Sequence, residues 1–233
     1  MYSKESIKKM IRLAKEYEKK FMFFADPATI EMCISSGNRK IGRVMNVSLM
    51  PVLTCHNCKE CKFLCYDIKA CLQYPDTVIN ARMRNTVLLK RDRDLFFSRI
   101  DEKMNRRRKN KYFRWHVAGD IVDLDYFSRM VENAKNHPDF IIWTYTKNYS
   151  VVNEYVRTHG GSIAAAIPEN FHVMFSEWRG MEMQNPYSFP EFKVVFKSDA
   201  VKPAGYYCPG NCDACKAARR GCMAGETTFC HEH

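Results

Sequence analysis

No uncharged apolar run in this chain approaches the roughly 18–20 residues that a membrane-spanning helix requires, which excludes a helical membrane protein. The opening stretch MYSKESIKKMIRLAKEYEKK also lacks the apolar core of a signal peptide, since lysine or glutamate recurs every few residues. The expectation is a protein that stays in the cytosol and meets no membrane. Low-complexity segments and repeats at a period of about 20–50 residues are absent, so solenoid and propeller architectures are out. Acidic residues are scarce relative to basic ones, 26 against 37, for a net charge of +11. That balance favours a polyanionic partner, either nucleic acid or a phosphorylated ligand. Cysteine is missing from the whole of residues 72–207, although the chain holds 11 of them. A chain without an export signal cannot use its cysteines as a disulfide framework, because the cytosol keeps thiols reduced; metal or redox chemistry is the first suspect.

What is present reads as one large or two small domains in 233 residues. Residues 3–23 open with Ser3 as N-cap and repeat Ile7, Ile11, Leu13, Ala14 and Tyr17 at helical spacing. IGRVMNVSLMPV, within residues 40–52, reads as a strand that delivers the chain into the first cysteines, and residues 76–105 as one continuous helix ended by RRRKNK at 106–111. A βαβ rhythm follows, with strands at 112–120 and 140–146 flanking a helix at 123–137. A helix at 149–159, stopped by Gly160 and Gly161, precedes strands at 171–176 and 192–197. Strands alternating with helices predict an α/β fold with a parallel sheet, barrel-like but only a partial (β/α) barrel. Residues 1–200 are expected to form this α/β domain. Residues 201–233 carry little apolar periodicity and are expected to be a cysteine-rich, metal-binding extension, because their own residues bury little.

Ten cysteines fall into two groups, and only Cys33 stands alone. Cys55, Cys58, Cys61 and Cys65 have the spacing C-x2-C-x2-C-x3-C, with Cys71 nearby as a fifth candidate metal ligand, the choice of four among the five left open. Two or three intervening residues let successive thiolates turn to one centre, and the spacing matches the bacterial ferredoxin run that holds a 4Fe–4S cluster. Tyr66 stands where that run has proline. Zinc, which also accepts four thiolates, is the alternative. The second group, Cys208, Cys212, Cys215, Cys222 and Cys230, contains C-x3-C-x2-C and is expected to hold a second closed cluster or zinc knuckle, with His231 and His233 as substitute ligands or simply a solvated tail.

Other chemistry-bearing residues sit at predicted strand ends, where parallel α/β sheets place their ligands. His116, Gly119 and Asp120 end one strand as candidate cofactor-binding residues; alternatively Gly119 turns the chain and Asp120 or Asp123 caps the next helix. Lys147 ends the next strand, and Glu177 and Arg179 the one after. With Asp120, these are the catalytic candidates if the sheet is parallel and they share one rim. The alternative is that they are ordinary polar loop residues. RRRKNK together with Arg82, Arg84, Lys90, Arg91 and Arg93 could grip phosphates or form a solvated face. Trp115, Trp143 and Trp178 are expected on strands, in the core.

These residues together resemble a family of phage-borne and prophage-borne proteins called gene product 88, over most of residues 37–230. The likeness runs through Thr54, Cys55, Cys58 or Cys61, Cys65 and Tyr66; through Tyr74, Pro75, Ala81, Arg82, Arg84 and Asn85; through His116, Ala118, Gly119 and Asp120, with alanine where the family has serine; through Trp143, Tyr145, Thr146 and Lys147; and through Cys208, Pro209, Cys212 and Cys215. It implies a phage or prophage protein acting in the bacterial host, of unassigned activity. The order of elements is also similar to that of radical S-adenosylmethionine proteins. That resemblance implies S-adenosylmethionine beside His116 to Asp120, although the front cysteines lack the C-x3-C-x2-C of those enzymes. Two function classes follow: an iron–sulfur protein, a diverged radical enzyme among the options, or a zinc-stabilised protein that binds nucleic acid or a host factor without catalysis.

Overall fold

A computed structural model describes residues 1–232, so His233 lies outside the described residues. The chain runs α1 (Lys4–Met22), β1 (Ile34–Ser35), β2 (Met45–Val47), α2 (Tyr66–Gln73), α3 (Asn80–Arg91), α4 (Arg93–Asn105), β3 (Tyr112–Trp115), α5 (Leu124–Asn136) and β4 (Ile141–Thr146). It continues through α6 (Tyr149–Thr158), α7 (Ile163–Ala166), β5 (Phe171–Glu177), β6 (Glu191–Val195), β7 (Tyr206–Tyr207), α8 (Cys212–Ala218) and β8 (Thr228–His231). Helix α1 starts as its sequence dictates, with the Ser3 hydroxyl accepting from Ser6 N at 3.1 Å. Its apolar stripe buries Ile7, Met10, Ala14 and Phe21.

Among the described residues, eight strands form one sheet in the order β1-β2-β3-β4-β5-β6-β8-β7. Every pairing from β2 onward is parallel, and only β1 runs antiparallel. From β2 to β6 the spatial order never reverses, as in a (β/α) barrel cut open. Right-handed crossovers in such a sheet place their helices on one face. The buried side chains sort accordingly. Phe113, Trp115, Ile142, Val173 and Phe175 pack with the helices in the main core. Trp143 and Met174, on the opposite face, pack with Ile41, Val44, Cys215, Cys222 and Met223 in a second, smaller core.

Three sequence expectations are corrected. Residues 76–105 are not one helix: a single π-turn at Pro75–Ile79 leads into α3, and Asp92 adopts an extended backbone between α3 and α4, capping the latter through Leu95 N at 2.8 Å. The strand expected within 40–52 shrinks to Met45–Val47, because the turn through Gly42 is committed to packing against the tail. A Cβ on Gly42 would meet the Asp213 carboxylate at 2.2 Å, and Cys212 N donates to Lys40 O at 3.1 Å. Trp115 and Trp143 are buried strand residues, but Trp178 lies one residue past the end of β5 and is only half-buried. Residues 201–232 add β7 and β8 to the sheet, with β8 hydrogen-bonded in register to β6 from Phe192↔Thr228 to Val195↔His231.

Candidate metal and ligand chamber

The loops that follow the strands at their C-terminal ends enclose a cavity of about 400 Å³. Cys55, Cys58, Cys61 and Cys65 line it from the front of the chain, and Cys208, Cys212, Cys215, Cys222 and Cys230 from the tail. Nine of the eleven cysteines thus share one chamber, although the two groups lie more than 140 residues apart in sequence. Cys71 does not join them. It is buried in the main core on α2, its thiol 3.8 Å from Asp67 Oδ2. Cys33 is exposed.

The front loop is fastened to the strand ends by its own polar residues. His56 Nε2 is 3.1 Å from Val122 O, and the Asn57 amide donates to Lys147 O at 2.7 Å. Within the loop, Cys58 reaches both Cys55 and Cys61 through thiol hydrogen bonds, which raise its own pKa. Cys61 is drawn down, first by the Cys58 thiol donating to it and then, against its burial, by the Lys147 ammonium. Burial pushes Cys65 up to about 11. In the tail, burial likewise raises Cys222 to about 11 and Cys230 to about 12. Neutral buried thiols are inert nucleophiles, and coordination to a metal is what strips their protons. Among the described residues, no three His, Cys, Asp or Glu side chains are gathered closely enough to hold one metal ion. Cysteines are nonetheless the most numerous potential ligands in the wall, alongside His56, Asp67, His116, Asp120, His231 and Glu232, and a soft, thiol-rich donor set suits zinc or iron–sulfur rather than a hard cation.

Asp120 and Lys147 meet at the rim, as their strand-end positions predict. Asp120 is 5% exposed. Its Oδ1 accepts from Thr146 Oγ1 at 2.6 Å and from Ile121 N at 2.7 Å, and its Oδ2 accepts from Lys147 N at 2.9 Å. Burial raises its pKa against the pull of these donors. The carboxylate is therefore a clamp between the ends of β3 and β4. The helix cap is Asp123 instead, accepting from Tyr126 N at 2.8 Å. Lys147 Nζ donates to Ser176 Oγ at 3.0 Å.

His116 and Gly119 also border the chamber, but their local chemistry is structural. The His116 imidazole has Thr144 Oγ1 at 3.3 Å on Nδ1 and Tyr126 Oη at 2.9 Å on Nε2, and burial lowers its pKa to about 3. Gly119 has φ +88°, and a Cβ there would meet Leu49 Cβ at 2.7 Å and Thr54 Oγ1 at 2.8 Å, so the backbone it lets approach is the protein's own. Glu177 and Arg179 point to surface ion pairs. Glu177 bonds Lys193 at 3.0 Å, and Arg179 bonds Asp199 and stacks over Phe196 at 4.2 Å.

The expected phosphate-gripping residues are largely committed elsewhere. Arg82 pairs with buried Asp67 at 3.1 Å, Arg84 with Glu31 at 3.0 Å, Lys90 with Glu18 at 2.6 Å and Arg93 with Asp123 at 2.7 Å. Arg91 donates to Phe24 O at 2.5 Å. In RRRKNK, Arg106 pairs with Glu102 and Lys111 with Asp139.

Sequence reasoning passed over Arg114. It sits mid-strand on β3, between Phe113 and Trp115, which both face the helices. Strand alternation alone sends position 114 to the other face, and a lone arginine there in a buried parallel strand was the available signal.

A family model described as Gene product 88 matches residues 4–206. The match ends just before Cys208, so the front cysteines fall inside it and the tail cysteines outside. No curated protein and no solved structure matches the chain, which leaves the likeness to radical S-adenosylmethionine proteins without support from known proteins.

Proposed function

We propose that this chain, which belongs to the gene product 88 family, is a metal–thiolate protein whose centre is an iron–sulfur cluster. The observation that carries the proposal is the convergence of two sequence-remote cysteine groups on one enclosed chamber. A reducing compartment gives no disulfide reason for that convergence, and buried thiols bring little packing advantage that apolar residues would not. Four thiolates on a single zinc ion crowd to within about 4 Å of one another, given a Zn–S bond of about 2.3 Å. Nine thiols distributed around a cavity of about 400 Å³ suit a polynuclear centre better. Cys55, Cys58, Cys61 and Cys65 would hold the first cluster, and the tail group would supply a second centre.

The chain's own residues set the surroundings. His56 and Asn57 fix the front loop against the strand ends, the Asp120 clamp holds β3 to β4 beside it, and Lys147 places a positive charge near Cys61. A bound cluster would supply one-electron redox chemistry, or an open iron if one thiolate is missing. Whether the centre serves catalysis in the manner of a radical enzyme is a narrower proposal with its own readout, formation of deoxyadenosine from S-adenosylmethionine by the reduced protein.

Anaerobic purification followed by iron, acid-labile sulfide and zinc analysis tests the reading. Iron with equimolar sulfide is expected, lowered by Cys61→Ser and, separately, by Cys222→Ser. Zinc without iron would replace the cluster with the structural-zinc alternative, and a metal-free protein from anaerobic cells would overturn both.

A further inference from the structure

Among the described residues, the face of the sheet opposite the helices carries two buried donors with nothing to donate to. Arg114 Nε and Trp143 Nε1 are both buried and have no hydrogen-bond partner among those residues. They are neighbours, because Arg114 and Trp143 are directly paired Cα partners across β3 and β4, and paired residues share a face. Both side chains line the chamber. The Arg114 guanidinium lies 4.6 Å over the Tyr145 ring. The strongest electrostatic partners around it are phenols and thiols, Tyr145, Tyr66, Cys212 and Cys222, with no carboxylate among them. The nearby carboxylates are already engaged, Asp67 with Arg82 and Asp120 with its three donors.

Buried N–H groups left unmatched are costly, and a bound ion or ligand that completes them is one reason a native protein retains them. A guanidinium matches an oxyanion by its planar fork, and it does so more strongly out of water than in it. Beside this pair the wall is aromatic, with Tyr145 and Phe192 in edge contact at 4.8 Å. An inorganic anion would leave that wall uncovered. We propose that Arg114 and Trp143 form the anion-binding subsite of the chamber, and that its ligand is a small organic oxyanion, a carboxylate or a phosphate monoester, whose planar apolar body lies on Tyr145 and Phe192.

Calorimetric titration of the protein as isolated, with benzoate and with phenyl phosphate, tests the proposal, and metal content is measured on the same samples. At least one of the two binds, and the one that binds identifies the headgroup. Arg114→Gln weakens that binding tenfold or more. Arg114→Lys, which keeps the charge and loses the fork, falls between, and Trp143→Phe costs several-fold while keeping the aromatic ring. Thermal unfolding of each variant confirms that it is folded. The proposal is overturned if neither anion binds, or if folded Arg114→Gln binds them as wild type does. It is equally overturned if Arg114→Gln loses metal while anion affinity is unchanged, since the guanidinium would then serve the thiolates. Anaerobically purified protein that is metal-free yet still binds the anion through Arg114 would remove the cluster reading and leave this one intact.

Discussion

Replacing Asp120 with asparagine isolates what the strand-end carboxylate does. As a helix cap, aspartate gives way to asparagine at almost no cost. As the clamp described above, it cannot. The carboxylate takes three donors, two on Oδ1 and one on Oδ2. Asparagine offers one acceptor oxygen. Keeping that oxygen on Thr146 Oγ1 and Ile121 N turns the amide N–H2 toward Lys147 N, so two donors face each other across a gap that the native hydrogen bond spans at 2.9 Å. One charge-assisted bond is lost, about 1.5–3 kcal/mol, and a buried N–H is left unmatched at about 1–3 kcal/mol more. Relief of the buried charge, whose cost is visible in the raised pKa, offsets part of this. The net expectation is a loss of about 2–4 kcal/mol. Urea unfolding reads it as a lower midpoint at unchanged slope. Asp92→Asn serves as the control, since Asp92 caps α4 through Leu95 N, and it is expected to stay within about 0.5 kcal/mol of wild type. An Asp120→Asn protein as stable as the control would refute the clamp.

Three further outcomes are expected. Gly119→Ala should destabilise the protein by about 2–4 kcal/mol, because φ +88° strains any side chain and the new methyl would press on Leu49 and Thr54; a midpoint unchanged in urea would contradict the packing. His116 is neutral in the folded state down to about 3 but takes a proton near 6.5 when unfolded, so stability is lost as pH falls below about 6.5, by about 1.4 kcal/mol per unit from this group alone. His116→Asn, which tolerates the left-handed backbone at φ +55°, should remove that increment, and identical pH slopes for variant and wild type would disprove it. Arg82→Gln strands the buried Asp67 carboxylate and should cost about 3 kcal/mol in thermal or urea unfolding, whereas a cost below about 1 kcal/mol would mean that water already reaches Asp67.

Where structure follows local pattern, the sequence was readable. The amphipathic stripe of α1, the βαβ rhythm through β3, α5 and β4, and the clustering of the cysteines all rest on spacings of a few residues. Where it follows distant pairing, it was not. Nothing in residues 201–233 announces a strand, because β8 gains its place from a ladder with β6, more than 30 residues away. For the same reason the two cysteine groups could be recognised separately but not seen to share a chamber. The break between α3 and α4 hides behind continuous helical composition, although Asp92 is a capping residue three positions before Leu95. Rim residues divided by what stood opposite them: Asp120 and Lys147 face the chamber, whereas Glu177 and Arg179 found surface partners in Lys193 and Asp199.

The sheet also has a schedule. Strand β8 lies between β6 and β7 although it follows both in the chain, so β7 has no partner until β8 inserts beside it. During synthesis, at about 5–20 residues per second, the front cysteines are made many seconds before their counterparts, and once made, β6 presents an open edge for roughly 2–7 s until β8 follows it. A metal captured early would sit in a half-built vessel, exposed to chelators and oxidants until the final strand closes it. Cells that elongate slowly should therefore accumulate a species with β6 unpaired. Proteolysis of nascent chains should cut first between residues 196 and 227.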